Sequence, residues 1–166
     1  DERALASPWR EKGMPAADRA LKLAREKALV VSRRRSGCWV IGADQTLEAE
    51  NHSGDKAADR ADARRKLLAL SGREHRLHAA AAVARDGALF FACVETARLA
   101  MRLLSEDFID AYLDRVGDAA TESVGAYRIE EIGALLFERV EGDHSTILGL
   151  PLLSLLGFLR RAGALA

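Results

Sequence analysis

One stretch constrains the fold more than any other: Trp39-Val40-Ile41-Gly42-Ala43-Asp44-Gln45-Thr46-Leu47. The apolar run from Cys38 to Ile41 has the length and the β-branched pair of a buried strand. Gly42 and Ala43 follow, small residues that let another backbone or a ligand come close. A single carboxylate, Asp44, then stands at the predicted strand end. In open α/β sheets, ligands gather beyond the carboxyl ends of strands, so a working acid is expected there. The alternative is a turn aspartate that merely closes a strand.

Around this stretch the chain predicts alternating helices and strands. Residues 1–15 are polar and irregular. From Ala16 to about Arg34, Ala17, Ala20, Leu21, Ala24, Ala28, Leu29 and Val31 fall near one helical face, with Lys27 beside them. Arg33-Arg34-Arg35 suits the helix end, as a solvated terminus or as a phosphate contact. Leu47 to Glu50 reads as a short hairpin arm, and Asn51 to Asp55 as a turn. Lys56 precedes a second helix, about Ala58 to Leu70, with Ala63, Leu67 and Leu70 inward and Ser71-Gly72 as its stop. Glu74–Ala84 and Ala88–Arg102 read as strands joined at Asp86-Gly87. The alanines at 79–82 pull instead towards helix. Ser105 caps a third helix with Glu106 and Asp107 in its first turn. Its apolar face is Phe108, Ile109, Tyr112 and Leu113. Val124–Ile129 and Ala134–Val140 read as strands, Glu141 to Asp143 as a turn. A buried last helix starts near Pro151.

With 166 residues the chain fits one domain with a proper core. Apolar residues make up 49% and the formal net charge is zero, so neither nucleic acid nor a membrane is expected as a partner. Cys38 and Cys93 sit in apolar runs and read as reduced core thiols of a cytoplasmic protein. The histidines predict no protein-only metal site. His75 and His78 are three apart on a strand and point to opposite faces, and His52 and His144 fall in loops. No nucleophile elbow, Walker loop or dinucleotide fingerprint is present.

Several pieces in register carry a resemblance. Ile41-Gly42-Ala43-Asp44-Gln45-Thr46, Asp55-Lys56 ahead of a helix, and Leu70-Ser71-Gly72-Arg73-Glu74-His75 resemble the Maf family of nucleoside triphosphate pyrophosphatases. So do Val124-Gly125-Ala126-Tyr127, Glu141-Gly142-Asp143 and Ile147-Leu148-Gly149-Leu150-Pro151-Leu152. Asp1-Glu2-Arg3 and Lys27-Ala28 also look like family positions. The resemblance implies one α/β domain: a mixed β-sheet flanked by helices, elongated and two-lobed with a central cleft. It implies hydrolysis of nucleoside triphosphates to monophosphate and pyrophosphate in the cytoplasm, with a divalent metal, Mg2+ or Mn2+. It also leaves open a catalytically weak nucleotide-binding regulator linked to cell-division arrest, and a homodimer as the assembly.

By that resemblance Asp44 is the general base or metal-orienting acid, and Glu2 a second acid at the metal. Lys27 and Lys56 hold the phosphates as point charges, and Gln45 and Glu130 bind substrate. Such chemistry suits the reaction, in which water attacks the α-phosphorus and negative charge must be neutralised. Taken without the family, Glu2 is a chain terminus, Lys27 and Lys56 are solvated helix residues, and Glu130 is a loop acid. The pyrimidine-type branch of the family usually shows glutamine where Glu130 stands. A carboxylate offers only acceptors, which match the adjacent N1–H and amine donors of guanine and favour a 7-methylated, cationic base. The Asp44-Gln45 pair likewise looks like the 7-methyl-GTP branch.

Two departures stand out. The family opens with a strand and a Ser/Arg-Arg phosphate loop, which precede the residues present here, and it tends to have Pro where this chain has Ala57. A protein truly starting at Asp1 would expose a sheet edge, and is expected to bind nucleotide weakly and to associate.

Overall fold

The computed structural model describes residues 13–50 and 54–165. The elements run α1 (Ala16–Ser32), β1 (Val40–Glu48), α2 (Arg60–Leu70), β2 (Glu74–Arg85), β3 (Ala88–Met101), α3 (Glu106–Val116), β4 (Phe137–Glu141), α4 (His144–Ile147) and α5 (Leu152–Arg161). Two 3-10 turns, Gly117–Thr121 and Ile132–Leu136, lie between α3 and β4. Among the described residues the strands form one antiparallel sheet in the order β1-β2-β3-β4, flanked by helices. The expected α/β class holds: helices flank a sheet whose described strands pair antiparallel. Among the described residues no helix is long and apolar enough to cross a membrane.

Local chemistry explains the boundaries. Asp86 and Gly87 take φ of 50° and 78°, the left-handed pair of a two-residue hairpin turn between β2 and β3. Ser105 caps α3 by accepting from the Phe108 N–H at 3.2 Å. Asp59 caps α2 by accepting from the Asp62 N–H at 2.8 Å. Gly72, with φ of 67°, ends that helix as expected. β2 keeps its strand although Ala79 to Ala82 favour helix. All four are fully buried, so sheet packing overrides intrinsic propensity.

The chain divides into two compact units. One holds residues 1–46, 78–96 and 143–166. Its core is a layer of alanines: Ala20, Ala24 and Ala28 of α1 pack against Ala80, Ala82 and Ala84 of β2, with Leu21, Leu29, Ala92 and Val94 at the margin. Methyl against methyl lets helix and sheet approach closely. Trp39, Phe90, Phe91 and Phe158 form an aromatic group in the same unit, with Phe91 stacked on Phe158 at 4.9 Å between ring centres.

The other unit holds residues 47–77 and 97–142. Here Arg64 of α2 grips Asp110 of α3 through Nε at 2.8 Å and reaches Glu106 at 2.7 Å. The guanidinium holds the Asp110 carboxyl below the usual carboxylate range. His75 and Tyr127, both buried, cluster with the half-buried Phe137, and His75 Nε2 and the Tyr127 hydroxyl are 2.6 Å apart. Replacing Tyr127 by Phe removes one partner of a buried hydrogen bond, so a loss of about 1–3 kcal/mol is expected. Urea denaturation checks it, and the cost should shrink in a His75→Phe background if the pair itself carries it.

Several expectations are corrected. The first strand runs past Asp44 to Glu48, so Asp44 lies inside the strand, and Leu47 and Glu48 continue it rather than pairing back. Residues 124–129 form turns, not a strand. Ala126 is buried with φ of 59°, and Ser123 Oγ accepts from the Tyr127 N–H at 3.0 Å while donating to the Tyr127 carbonyl at 2.7 Å. That local bonding displaces the extended backbone. The next strand begins only at Phe137, after a 3-10 turn. Cys38 is exposed and Cys93 half-buried, because the apolar run holding Cys38 enters the sheet only at Val40. His144 opens the short helix α4 rather than lying in a loop.

Candidate active site

Asp44 is set by the packing of α1 on β1. Gly42, Asp44 and Thr46 share one face of the strand. A Cβ on Gly42 would lie 2.3 Å from the Ala24 carbonyl oxygen and 2.6 Å from the Ala28 nitrogen, so the helix backbone rests directly on this glycine. The close approach expected at Gly42 is therefore made by α1. From the same turn of α1, between Ala24 and Ala28, Lys27 Nζ donates to Asp44 Oδ1 at 2.8 Å and to the Ala43 carbonyl at 3.2 Å. Further along, Thr46 Oγ1 donates to the Ala16 carbonyl at 2.8 Å. The Asp44 side chain is 10% exposed and that of Lys27 37%. A carboxylate in mid-strand is tolerable here because a cation lies against it.

Gln45 points from the other face of β1. Its Nε2 donates to the carbonyls of Thr146 at 3.1 Å and Ile147 at 2.9 Å. Gly149, with φ of 106°, packs against the same amide. Thr146 in turn donates through Oγ1 to Glu95 Oε2 at 3.0 Å, and Ser154 Oγ donates to Glu95 Oε1 at 2.5 Å. Gln45 and Glu95 thus fasten the segment from α4 to the start of α5 onto the strands beside Asp44. Glu95, Thr146 and Ser154 were not among the expected site residues. They are far apart in sequence and carry no local pattern that would join them.

The structure brings Lys27, Asp44 and Gln45 together in one unit. Lys56 and Glu130 belong to the other unit, and both are exposed. Lys56 sits in the loop between Gly54, whose φ is 70°, and α2. Glu130 sits in a turn after Tyr127. Glu2 lies outside the described residues. Among the described residues no three His, Cys, Asp or Glu side chains gather into a preformed metal cage. The carboxylate of Asp44 is a hard oxygen donor. That donor chemistry suits Mg2+ or Mn2+, which bind through one or two carboxylates together with substrate phosphates.

The model of the Maf family (Maf-like protein) matches residues 1–162. A nucleoside triphosphate pyrophosphatase of Nitrobacter winogradskyi is 57% identical over 161 residues, 96% of this chain and 78% of that protein. A nucleoside triphosphate pyrophosphatase of Rhodopseudomonas palustris is 53% identical over 167 residues, covering 100% of this chain and 81% of its own length. A 7-methyl-GTP pyrophosphatase of Mesorhizobium japonicum is 50% identical over 165 residues, 99% of this chain and 83% of that protein.

Proposed function

The chain belongs to the Maf family, and on that premise we propose that it is a nucleoside triphosphate pyrophosphatase, working in the cytoplasm on a triphosphate bound with a divalent metal. The observation that carries the reading is the Lys27–Asp44 pair at 2.8 Å on the close contact between α1 and β1. It places a carboxylate and a cation side by side, the two charges that water activation and phosphate binding need.

The reaction balances simply. A water oxygen attacks the α-phosphorus, the bond from that phosphorus to the bridging oxygen breaks, and pyrophosphate leaves with that oxygen. Asp44 receives the proton of the attacking water or orients the metal. Lys27 holds the Asp44 carboxylate in place and offers positive charge to the phosphates. Lys56 is assigned to the phosphates, and Gln45 serves the substrate site indirectly, by holding the Thr146–Ile147 backbone against the face of β1 opposite Asp44. Asp44, with Glu2, would hold the metal, which when bound neutralises charge developing on the phosphate oxygens. Pyrophosphate release from a panel of nucleotides with Mg2+ or Mn2+ tests the assignment. Nucleotide binding without turnover would favour the regulatory alternative instead.

Within this activity we assign Glu130 to the base. The support is the exposed carboxylate after Tyr127 and the similarity to a protein named 7-methyl-GTP pyrophosphatase. A competition assay of 7-methyl-GTP, GTP, dTTP and UTP is expected to favour the guanine nucleotides, and Glu130→Gln should shift preference towards the pyrimidines. A pyrimidine preference unchanged by Glu130→Gln would show that Glu130 does not read the base.

A further inference from the structure

α2 carries its apolar stripe on Ala63, Leu67 and Leu70, all fully buried. Lys66 stands on the same side of the helix, three residues after Ala63 and four before Leu70. Its side chain is only 7% exposed. Lysine is rarely buried so deeply, and an apolar side chain would fill this place without the cost of desolvating a charge. The use made of the ammonium is therefore informative. Lys66 Nζ donates to the Asp55 carbonyl, and it lies 3.8 Å from Asp62 Oδ2.

The same carboxylate oxygen of Asp62 accepts from the Ala58 N–H at 3.0 Å. The Asp62 N–H donates to Asp59 Oδ1 at 2.8 Å. Ala57 is docked at 3% exposure. The loop is thus pinned on both sides of one residue, at the Asp55 carbonyl before it and at Ala57 and Ala58 after it. The residue between the pins is Lys56, which is exposed.

We propose that Lys66 is a positioning residue that fixes the 54–59 loop and so presents Lys56 to the substrate's phosphates. The proposal rests on the phosphate role given to Lys56 above. A lysine acts as a point charge on a flexible stem, so its contribution depends on where its backbone is held. Fixing the loop in advance removes part of the ordering cost from the binding step. The ammonium of Lys66 does not itself touch substrate in this scheme.

A double-mutant cycle tests it, with Lys66→Met, Lys56→Ala and the double variant compared by pyrophosphate release. Lys66→Met should remain folded by circular dichroism and lower kcat/KM about tenfold, chiefly through KM. In the Lys56→Ala background the same change should add less than about twofold, because the two residues act as one unit. Amide hydrogen exchange of residues 54–58 should quicken in Lys66→Met, a readout independent of turnover. Lys66→Gln serves in its place if the methionine variant does not fold. A tenfold loss of equal size in both backgrounds overturns the proposal, as does unchanged loop exchange. Wild-type rates in Lys56→Ala alone would instead overturn the assignment of Lys56. Loop exchange would then decide whether Lys66 holds the loop at all.

Discussion

Asp44→Asn is expected to lower turnover by about a hundredfold to ten-thousandfold while leaving the fold intact, the range a positioned acid or base contributes. The two side chains have the same shape, and the amide oxygen of asparagine still accepts from Lys27. Packing against α1 is therefore kept. The ion pair itself contributes little to stability. Lys27 is more than a third exposed, so a value near the surface median, about 1 kcal/mol or less, applies. A large kinetic effect with a small thermal shift separates chemistry from folding. Steady-state kinetics at saturating metal, beside a thermal melt, measures both. A loss below about tenfold would count against Asp44 as the general base.

Gly42→Ala is expected to act in the opposite proportion. One added methyl meets two backbone atoms, at 2.3 and 2.6 Å, rather than the tip of a side chain that could swing aside. The helix must move away, or the strand must. Overpacking of this kind costs about 1–3 kcal/mol. The displacement also pulls Lys27 away from Asp44, since Lys27 lies in the helix turn that rests on Gly42 and Asp44 is two residues on from that glycine. A positional error of about 1 Å near the chemistry can cost about a hundredfold. The expected result is a lower denaturation midpoint together with a fall in kcat, and the two should not be separable by lowering the temperature. Normal stability and normal kcat in Gly42→Ala would show that α1 does not rest on this glycine.

Much of this architecture is legible in the residues themselves. The alanine spacing of α1, the Asp86-Gly87 turn, the Ser105 cap and the Pro151 start are local signals, and the structure keeps each of them. What local signals miss is set by distant partners. β1 continues through Asp44 and Gln45, polar residues poorly suited to a strand interior. Lys27 pairs one of them, and the carbonyls of Thr146 and Ile147 pair the other. Neither partner is visible from the strand itself. Val124 to Ile129 has strand composition, but the left-handed backbone at Ala126 and the Ser123 bonds are tertiary outcomes. Lys66 left a trace that could have been read, a lysine falling on the apolar stripe of its own helix. Of the expected site, Lys27 and Asp44 meet as an ion pair, and the sequence pattern marks each of them separately without marking the pair.

The alanine layer beneath α1 has a dynamic consequence. An alanine has no χ angle to choose, so the contact of Ala20, Ala24 and Ala28 with Ala80, Ala82 and Ala84 loses no side-chain conformational entropy on folding. It also has no alternative rotamers to exchange with once folded. A core of leucines can breathe by hopping between staggered states, and the spacing of its elements fluctuates with them. Here the distance from helix to sheet at the centre of the layer is set by backbone and methyl radii, with Leu21, Leu29 and Val94 only at the margin. Lys27 and Asp44 hang from opposite sides of that joint. Their separation is therefore set by a joint of nearly fixed spacing together with their own side-chain torsions.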